Sequence, residues 1–338
     1  LLCGAHSAAA SKEGESALKG LAKAKGTSQN PKKADKSDTW VKLGNAYTAC
    51  YDAPINGLWI DAPQMQVKLL LKDQTVTGSE KKEVNGQQLT VDSYADKDLY
   101  YDASGKLFAW VIKQPTLKDE DALECAYNAY KKASDLNASK SDLSAAFKAV
   151  GQRFWGAAIS ASRLGENKSA SVYFEKSYNA TSEPSVGVVD TMALYNAGVT
   201  ASMAKDNDRA ISLLNKCMGL NYDGGGEAYA YISAAYKQKR DTSKSKEILS
   251  LGFAKHPTNQ SILIELINTY LSTKDNPDKV LEFIHTAQKN EPTNASLIYT
   301  EGNIYKTLKK YDQAVECYEN ALKVDPTYVY APFAEGDT

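Results

Sequence analysis

The chain is poor in the residues that most chemistry needs. It has three histidines, His6, His256 and His285, too far apart in sequence for local spacing to assemble a triad or a metal cluster. Its five cysteines, at 3, 50, 125, 217 and 317, form no CxxC pair and keep no ligand spacing with histidine, which argues against metal binding and thioredoxin-like chemistry. No run of 18 or more apolar residues occurs, so no segment reads as a transmembrane helix. Charge of one sign is also missing: 40 basic against 41 acidic residues leave a net charge of -1, and neither nucleic acid nor an anionic membrane is indicated. The one glycine cluster, Gly224-Gly225-Gly226, has no preceding hydrophobic strand and no GK[ST] ending, so it reads as a turn and not as a phosphate cradle. No cofactor and no enzymatic activity are expected.

What is present is apolar content and tyrosine. With 43% hydrophobic residues in 338, the chain can build one large or two ordinary domains. Tyrosine is unusually frequent, 21 against seven phenylalanines. Asp119-Glu120-Asp121 falls where a helix is expected to start, a place where carboxylates meet the positive end of the helix dipole. Five Asn-x-Ser/Thr triplets, at Asn137, Asn167, Asn179, Asn259 and Asn294, would matter only in a eukaryotic secretory pathway.

Internal periodicity organises most of the chain. From Ala295 to Tyr328, Gly302, Tyr305, Ala314, Tyr318, Ala321 and Pro326 fall at offsets 8, 11, 20, 24, 27 and 32 of a 34-residue unit. Small residues at 8, 20 and 27 let two antiparallel helices approach, aromatics at 11 and 24 fill the space between hairpins, and proline ends the second helix. Weaker copies precede it at 261–294, 226–259, 191–224 and 151–184. A further first helix, with Trp40, Leu43, Gly44 and Tyr47 at offsets 4, 7, 8 and 11, starts at Ser37 and is expected to stop at Asp52-Ala53-Pro54. Its second helix does not follow; Ala126, Tyr130 and Ala133 show the 20, 24, 27 spacing only about seventy residues later.

This pattern resembles the tetratricopeptide repeat family over about two thirds of the chain. The resemblance implies an all-α solenoid, a right-handed superhelix of helical hairpins, with a small β-meander inserted near the N-terminus. The expected layout is a helix and linker at 11–36, a divided first hairpin over 37–138 with its insertion at about 54–117, and a block of five hairpins over 139–328, with repeat units at 151–184, 191–224, 226–259, 261–294 and 295–328. Within the insertion a short helix is expected at Pro63–Leu71, followed by two or three strands with Asn-Gly and Asp/Ser-Gly turns. Val329–Thr338, with Gly336 at offset 8, reads as the start of a further repeat that continues past Thr338.

The opening Leu1–Ala10 reads as the end of a secretory signal peptide, with Ala5-His6-Ser7 or Ala8-Ala9-Ala10 as the cleavage site. A lipid anchor on Cys3 fits less well, because Leu2 stands where a lipobox needs a small side chain. An exported bacterial protein, periplasmic or associated with the outer membrane, is therefore expected, a cytoplasmic one being the alternative.

The resemblance also implies a binding role, with a protein or peptide partner in the groove lined by offsets 2, 5, 9, 12 and 13 of the first helices. These offsets give Gln152, Trp155 and Ile159, then Met192, Tyr195, Val199 and Met203, an oily stretch expected to form one surface unless the insertion or the N-terminal helix already fills it. Farther on they give Tyr299, Asn303 and Lys306, a polar stretch. Asn45 and Asn303 match the asparagine of the carboxylate clamp in chaperone-binding relatives, but Val41 and Tyr299 stand where that clamp has lysine. The expected role is a scaffold or adaptor; the alternative is a permanent subunit of a multiprotein envelope complex. Cys50 and Cys125, near the turn of the divided hairpin, are the expected pair if a disulfide forms.

Overall fold

The computed structural model describes residues 12–272 and 277–327, so the expectations for Leu1–Ala10 and Val329–Thr338 lie outside the described residues. The chain divides into two compact units, Leu1–Ala204 and Lys205–Thr338.

In the first unit, helices α1 (Lys12–Ser28), α2 (Ser37–Ile55) and α4 (Ala122–Asp135) pack together, followed by α5 (Lys140–Arg163), α6 (Asn167–Thr181) and α7 (Thr191–Met203). Between α2 and α4 come a short helix α3 (Gln64–Leu70) and strands β1 (Gly78–Val84), β2 (Gln87–Ser93), β3 (Lys97–Tyr101) and β4 (Leu107–Ile112), an antiparallel meander in the order β1-β2-β3-β4. Asn85 and Gly86, at φ 52° and 77°, form the two-residue turn between β1 and β2, the backbone shape that matches strand twist.

Three expectations need correction here. The meander has four strands, because β1 (GSEKKEV) is almost wholly exposed and its charges hide any apolar alternation. Helix α2 does not stop at Asp52: Pro54 sits in its last turn, and the helix closes at Asn56 in the left-handed region, whose N–H donates to the Asp52 carbonyl at 2.9 Å. The first helix of the hairpin placed at 151–184 begins at Lys140, eleven residues earlier, capped by the Ser139 hydroxyl.

Beyond the exposed β1, the sheet carries buried residues on both faces, as the alternation along β3 shows. Leu99 and Tyr101 face Ile55, Leu58 and Val67, whereas Tyr100 lies with Leu89, Val91 and Ala109 against Leu164 at the end of α5. The helical core joins Leu21, Tyr47, Cys50, Tyr130, Phe147 and Phe154. Across it, Gly44 on α2 lies against the ring of Tyr130 on α4, where an added Cβ would stand 2.3 Å from Cε1. The Tyr130 hydroxyl donates to Asn45 Oδ1 at 2.7 Å.

The second unit comprises α8 (Asn207–Gly219), α9 (Glu227–Gln238), α10 (Thr242–Lys255), α11 (Gln260–Ser272), α12 (Pro277–Asn290), α13 (Ala295–Thr307) and α14 (Tyr311–Val324). Gly302 on α13 repeats the Gly44 arrangement, with an added Cβ 2.5 Å from the Tyr318 ring, and the Tyr318 hydroxyl donates to Asn303 Oδ1 at 3.0 Å. Gly224, Gly225 and Gly226 take φ of 62°, 69° and 102°, three successive left-handed residues that turn the chain into α9. The turn is pinned by Asp223, whose Oδ1 accepts from Gly226 N–H at 3.2 Å and whose Oδ2 meets Lys255 Nζ at 2.6 Å and His256 Nε2 at 2.8 Å.

Candidate functional site

The last turns of α2 bring Tyr51, Asp52 and Ile55 opposite α5, and the insertion then closes over both. A recess of about 650 Å³ lies between them. Its apolar lining includes Trp59 from the loop after α2, Trp110 from β4, and Trp155 and Ile159 from α5. Three of the four tryptophans of the chain thus share one cavity. Trp59 is 46% exposed, a large apolar side chain left open to water, while Trp155 is braced edge-on against Phe174 with ring centroids 5.1 Å apart. Gly156 on α5 lies beneath Trp110: an added Cβ would be 3.7 Å from the indole, ordinary contact distance.

The polar side chains at the rim are matched to one another. Arg153 holds Asp52 in a two-pronged pair, Nε to Oδ1 at 2.7 Å and Nη2 to Oδ2 at 2.6 Å, and these bonds raise the arginine's pKa further against the opposing effect of burial. Arg163 Nη1 donates to Asp61 Oδ1 at 2.8 Å and to the Phe108 carbonyl at 3.0 Å, with its guanidinium over the Phe108 ring. Burial pushes the pKa of the Tyr51 phenol well up, so it stays protonated.

The sheet is docked on α5 through its edge. Strand β4 has a neighbour on one side only, and the Ser160 hydroxyl, 4% exposed as a residue, answers both free groups of Trp110: it accepts from the amide and donates to the carbonyl, each at 2.8 Å. Asn85 Nδ2 adds a bond to the Arg163 carbonyl at 3.1 Å.

Of the residues singled out in the sequence, Gln152, Trp155 and Ile159 meet around this recess. Met192, Tyr195, Val199 and Met203 lie on α7, with Met192 and Met203 exposed, and are not among its lining residues, so the single oily surface expected of the two groups is not formed at the recess. The insertion, with Trp59 and Trp110, supplies the opposite wall instead. Tyr299, Asn303 and Lys306 lie on α13 in the other unit. Asn45 and Asn303, alike in matching a clamp, are alike in a different way: each accepts the hydroxyl of the tyrosine at offset 24 of its own hairpin.

Cys50 and Cys125 share the core cluster of the first unit and are both free thiols in this structure. Burial pushes both thiols above their ordinary pKa, which suppresses the thiolate that disulfide exchange requires. Asp121, in the acidic triplet, caps α4 by accepting from Leu123 and Glu124 N–H, and Glu120 pairs with Lys25 at 2.8 Å. Among the described residues no three His, Cys, Asp or Glu side chains come together to hold a metal ion, and no helix is long and apolar enough to cross a membrane.

Sequence reading missed Tyr51, Asp52, Trp59 and Trp110. The one signal available was the rarity of tryptophan, four in the chain; nothing in the spacing pairs Asp52 with Arg153 across 101 residues.

The geometry of α13 and α14, with Gly302 under Tyr318, coincides with a sequence match: residues 295–328 fit the tetratricopeptide repeat model. This segment is a tetratricopeptide repeat. The same Gly–Tyr–Asn arrangement in α2 and α4 marks a second hairpin of the type, with the insertion between its helices. No curated protein matches the chain. Among solved structures it is similar to YrrB, a tetratricopeptide protein with an unusual peptide-binding site, at 15% identity over 60% of this chain and 95% of that one, with a TM-score of 0.37. It is also similar to TTC0263, a tetratricopeptide protein of Thermus thermophilus, at 17% identity over 53% and 93% of the two chains, TM-score 0.35. PilF of Pseudomonas aeruginosa is similar at 14% identity over 61% and 85%, TM-score 0.35.

Proposed function

We propose that this protein is a non-catalytic scaffold that docks a protein or peptide partner, and that the recess between α5 and the insertion is a docking site. The observation that carries this reading is the gathering of Trp59, Trp110 and Trp155 around one open cavity, with Trp59 substantially exposed. Large aromatics in a pocket supply most of the energy of an interface, and the paired rim charges fit the polar ring that surrounds such a centre. The test is affinity capture from the native organism with the wild-type chain and with Trp155→Ala. Loss of the same partners from the variant supports the reading, and equal recovery contradicts it.

A second reading, a permanent subunit of a larger envelope-associated complex, draws on α14, where Tyr311, Val315 and Leu322 are exposed apolar residues. A free adaptor purifies as a soluble monomer, whereas a permanent subunit aggregates without its complex. Export, to the periplasm or the outer membrane, is proposed on the pattern of Leu1–Ala10 alone; fractionation of the native cell tests it.

A further inference from the structure

We infer that the occupant of the recess is a neutral aromatic side chain presented by a peptide, an inference that rests on the docking reading and names the chemistry of its ligand. Each carboxylate at the rim has its own guanidinium, Asp52 with Arg153 and Asp61 with Arg163, so the rim carries no net charge. A cationic side chain would have to compete with arginine for those carboxylates, and an anionic one would have to draw arginine away from them. Either costs a good pair to make another. The three indoles, with Ile55, Leu58 and Ile159, instead offer apolar area that gains by losing water, and aromatic rings gain further from edge-to-face contact. The volume, about 650 Å³, lies within the usual range for pockets that enclose small ligands.

Gly156 adds an independent point. The helix face beneath Trp110 has no side chain there, although a Cβ would fit at 3.7 Å without displacing the indole. Glycine in a helix interior is less stabilising than alanine, and close packing does not require it here. The space it leaves opens into the recess, of which Gly156 is a lining residue.

The fourth tryptophan provides an internal control. Trp40 lies on α2 outside the recess, and its indole N–H donates to the Ala34 carbonyl at 2.8 Å. In a 1H–15N spectrum of the whole chain, the four indole resonances, assigned by Trp→Phe variants, are followed during titration with N-acetyl-phenylalaninamide, N-acetyl-lysinamide and glucose. The phenylalanine probe is expected to move the resonances of Trp59, Trp110 and Trp155 in a saturable way and leave Trp40 in place. Gly156→Leu, which fills the recess while keeping every tryptophan, is expected to weaken that binding by about tenfold or more through steric exclusion. The inference is overturned if the phenylalanine probe moves none of the three, if Trp40 moves with them, or if the lysine probe or glucose binds as well. Partner capture that depends on Trp155 together with a silent phenylalanine titration would remove the ligand chemistry and leave the docking reading standing. Saturable phenylalanine binding with undiminished capture would do the reverse.

Discussion

Tyr130 closes on Gly44 and Asn45 in the same way that Tyr318 closes on Gly302 and Asn303: ring over the glycine, hydroxyl on the asparagine. The first pair is separated by an inserted sheet and the second by a three-residue turn between α13 and α14, so the contact belongs to the hairpin and not to its connection. The asparagines that match a ligand clamp in sequence are therefore held by the hairpin itself.

Gly44→Ala tests that contact. The new methyl would stand 2.3 Å from Tyr130 Cε1, a clash that the ring must move to relieve. The expected cost is about 1–3 kcal/mol, reduced by up to roughly 1 kcal/mol of helix propensity. Gly302→Ala, at 2.5 Å from Tyr318, should behave alike. Denaturant midpoints that rise in both variants would show that the helices do not approach at these glycines.

Ser160→Ala should loosen the sheet from α5. Its hydroxyl is the partner of both the amide and the carbonyl of Trp110, and leaving those groups without it costs about 1–3 kcal/mol. Amide exchange at Trp110 should accelerate while exchange in α13 and α14 stays unchanged. An unaltered Trp110 amide would mean that the edge of β4 has another partner.

The Asp223 turn predicts an acid sensitivity of the second unit. Burial alone would raise the Asp223 pKa, but its bonds to Lys255 and His256 outweigh burial and hold it at about 2, below the ordinary 3.8. A carboxyl depressed in the folded state adds stability that is fully present above the ordinary value and is lost as pH falls from about 4 towards 2. The melting temperature of the wild type should drop across that window more steeply than that of Asp223→Asn, which starts lower and lacks this titration. Parallel curves for the two proteins would rule the turn out as the source.

At the binding site, Trp155→Ala is expected to weaken partner binding by about 2 kcal/mol or more. Lys306→Ala, an exposed charge on α13, should change affinity little and association rate slightly. Because Trp155 also braces Phe174, the comparison needs a melting curve for each variant, and binding measured well below the lower transition.

Much of the helical frame was legible because its information is local and periodic. Gly302, Tyr305, Ala314, Tyr318 and Ala321 announce their packing by spacing alone, and aspartates such as Asp121, Asp206 and Asp241 cap helices beside them in sequence. The site was legible in half. Gln152, Trp155 and Ile159 followed from register along one helix, but the wall opposite them depends on α2 running past Pro54 and on a sheet whose first strand is nearly all exposed and charged. The Asp52–Arg153 pair spans 101 residues and has no periodic signature. Apolar spacing identifies a face that must be covered; it does not say that an insertion will cover it and leave a cavity lined by tryptophan.

The most direct test of the central claim is hydrogen exchange, followed by mass spectrometry, on the chain alone and with its captured partner bound. Docking in the recess predicts that bound partner slows exchange in the segments that wall it, 51–61, 108–112 and 152–163, and leaves 296–306 on α13 as it was. Protection confined to α13, or spread over α7 with the recess segments unchanged, would contradict the account and place the partner elsewhere.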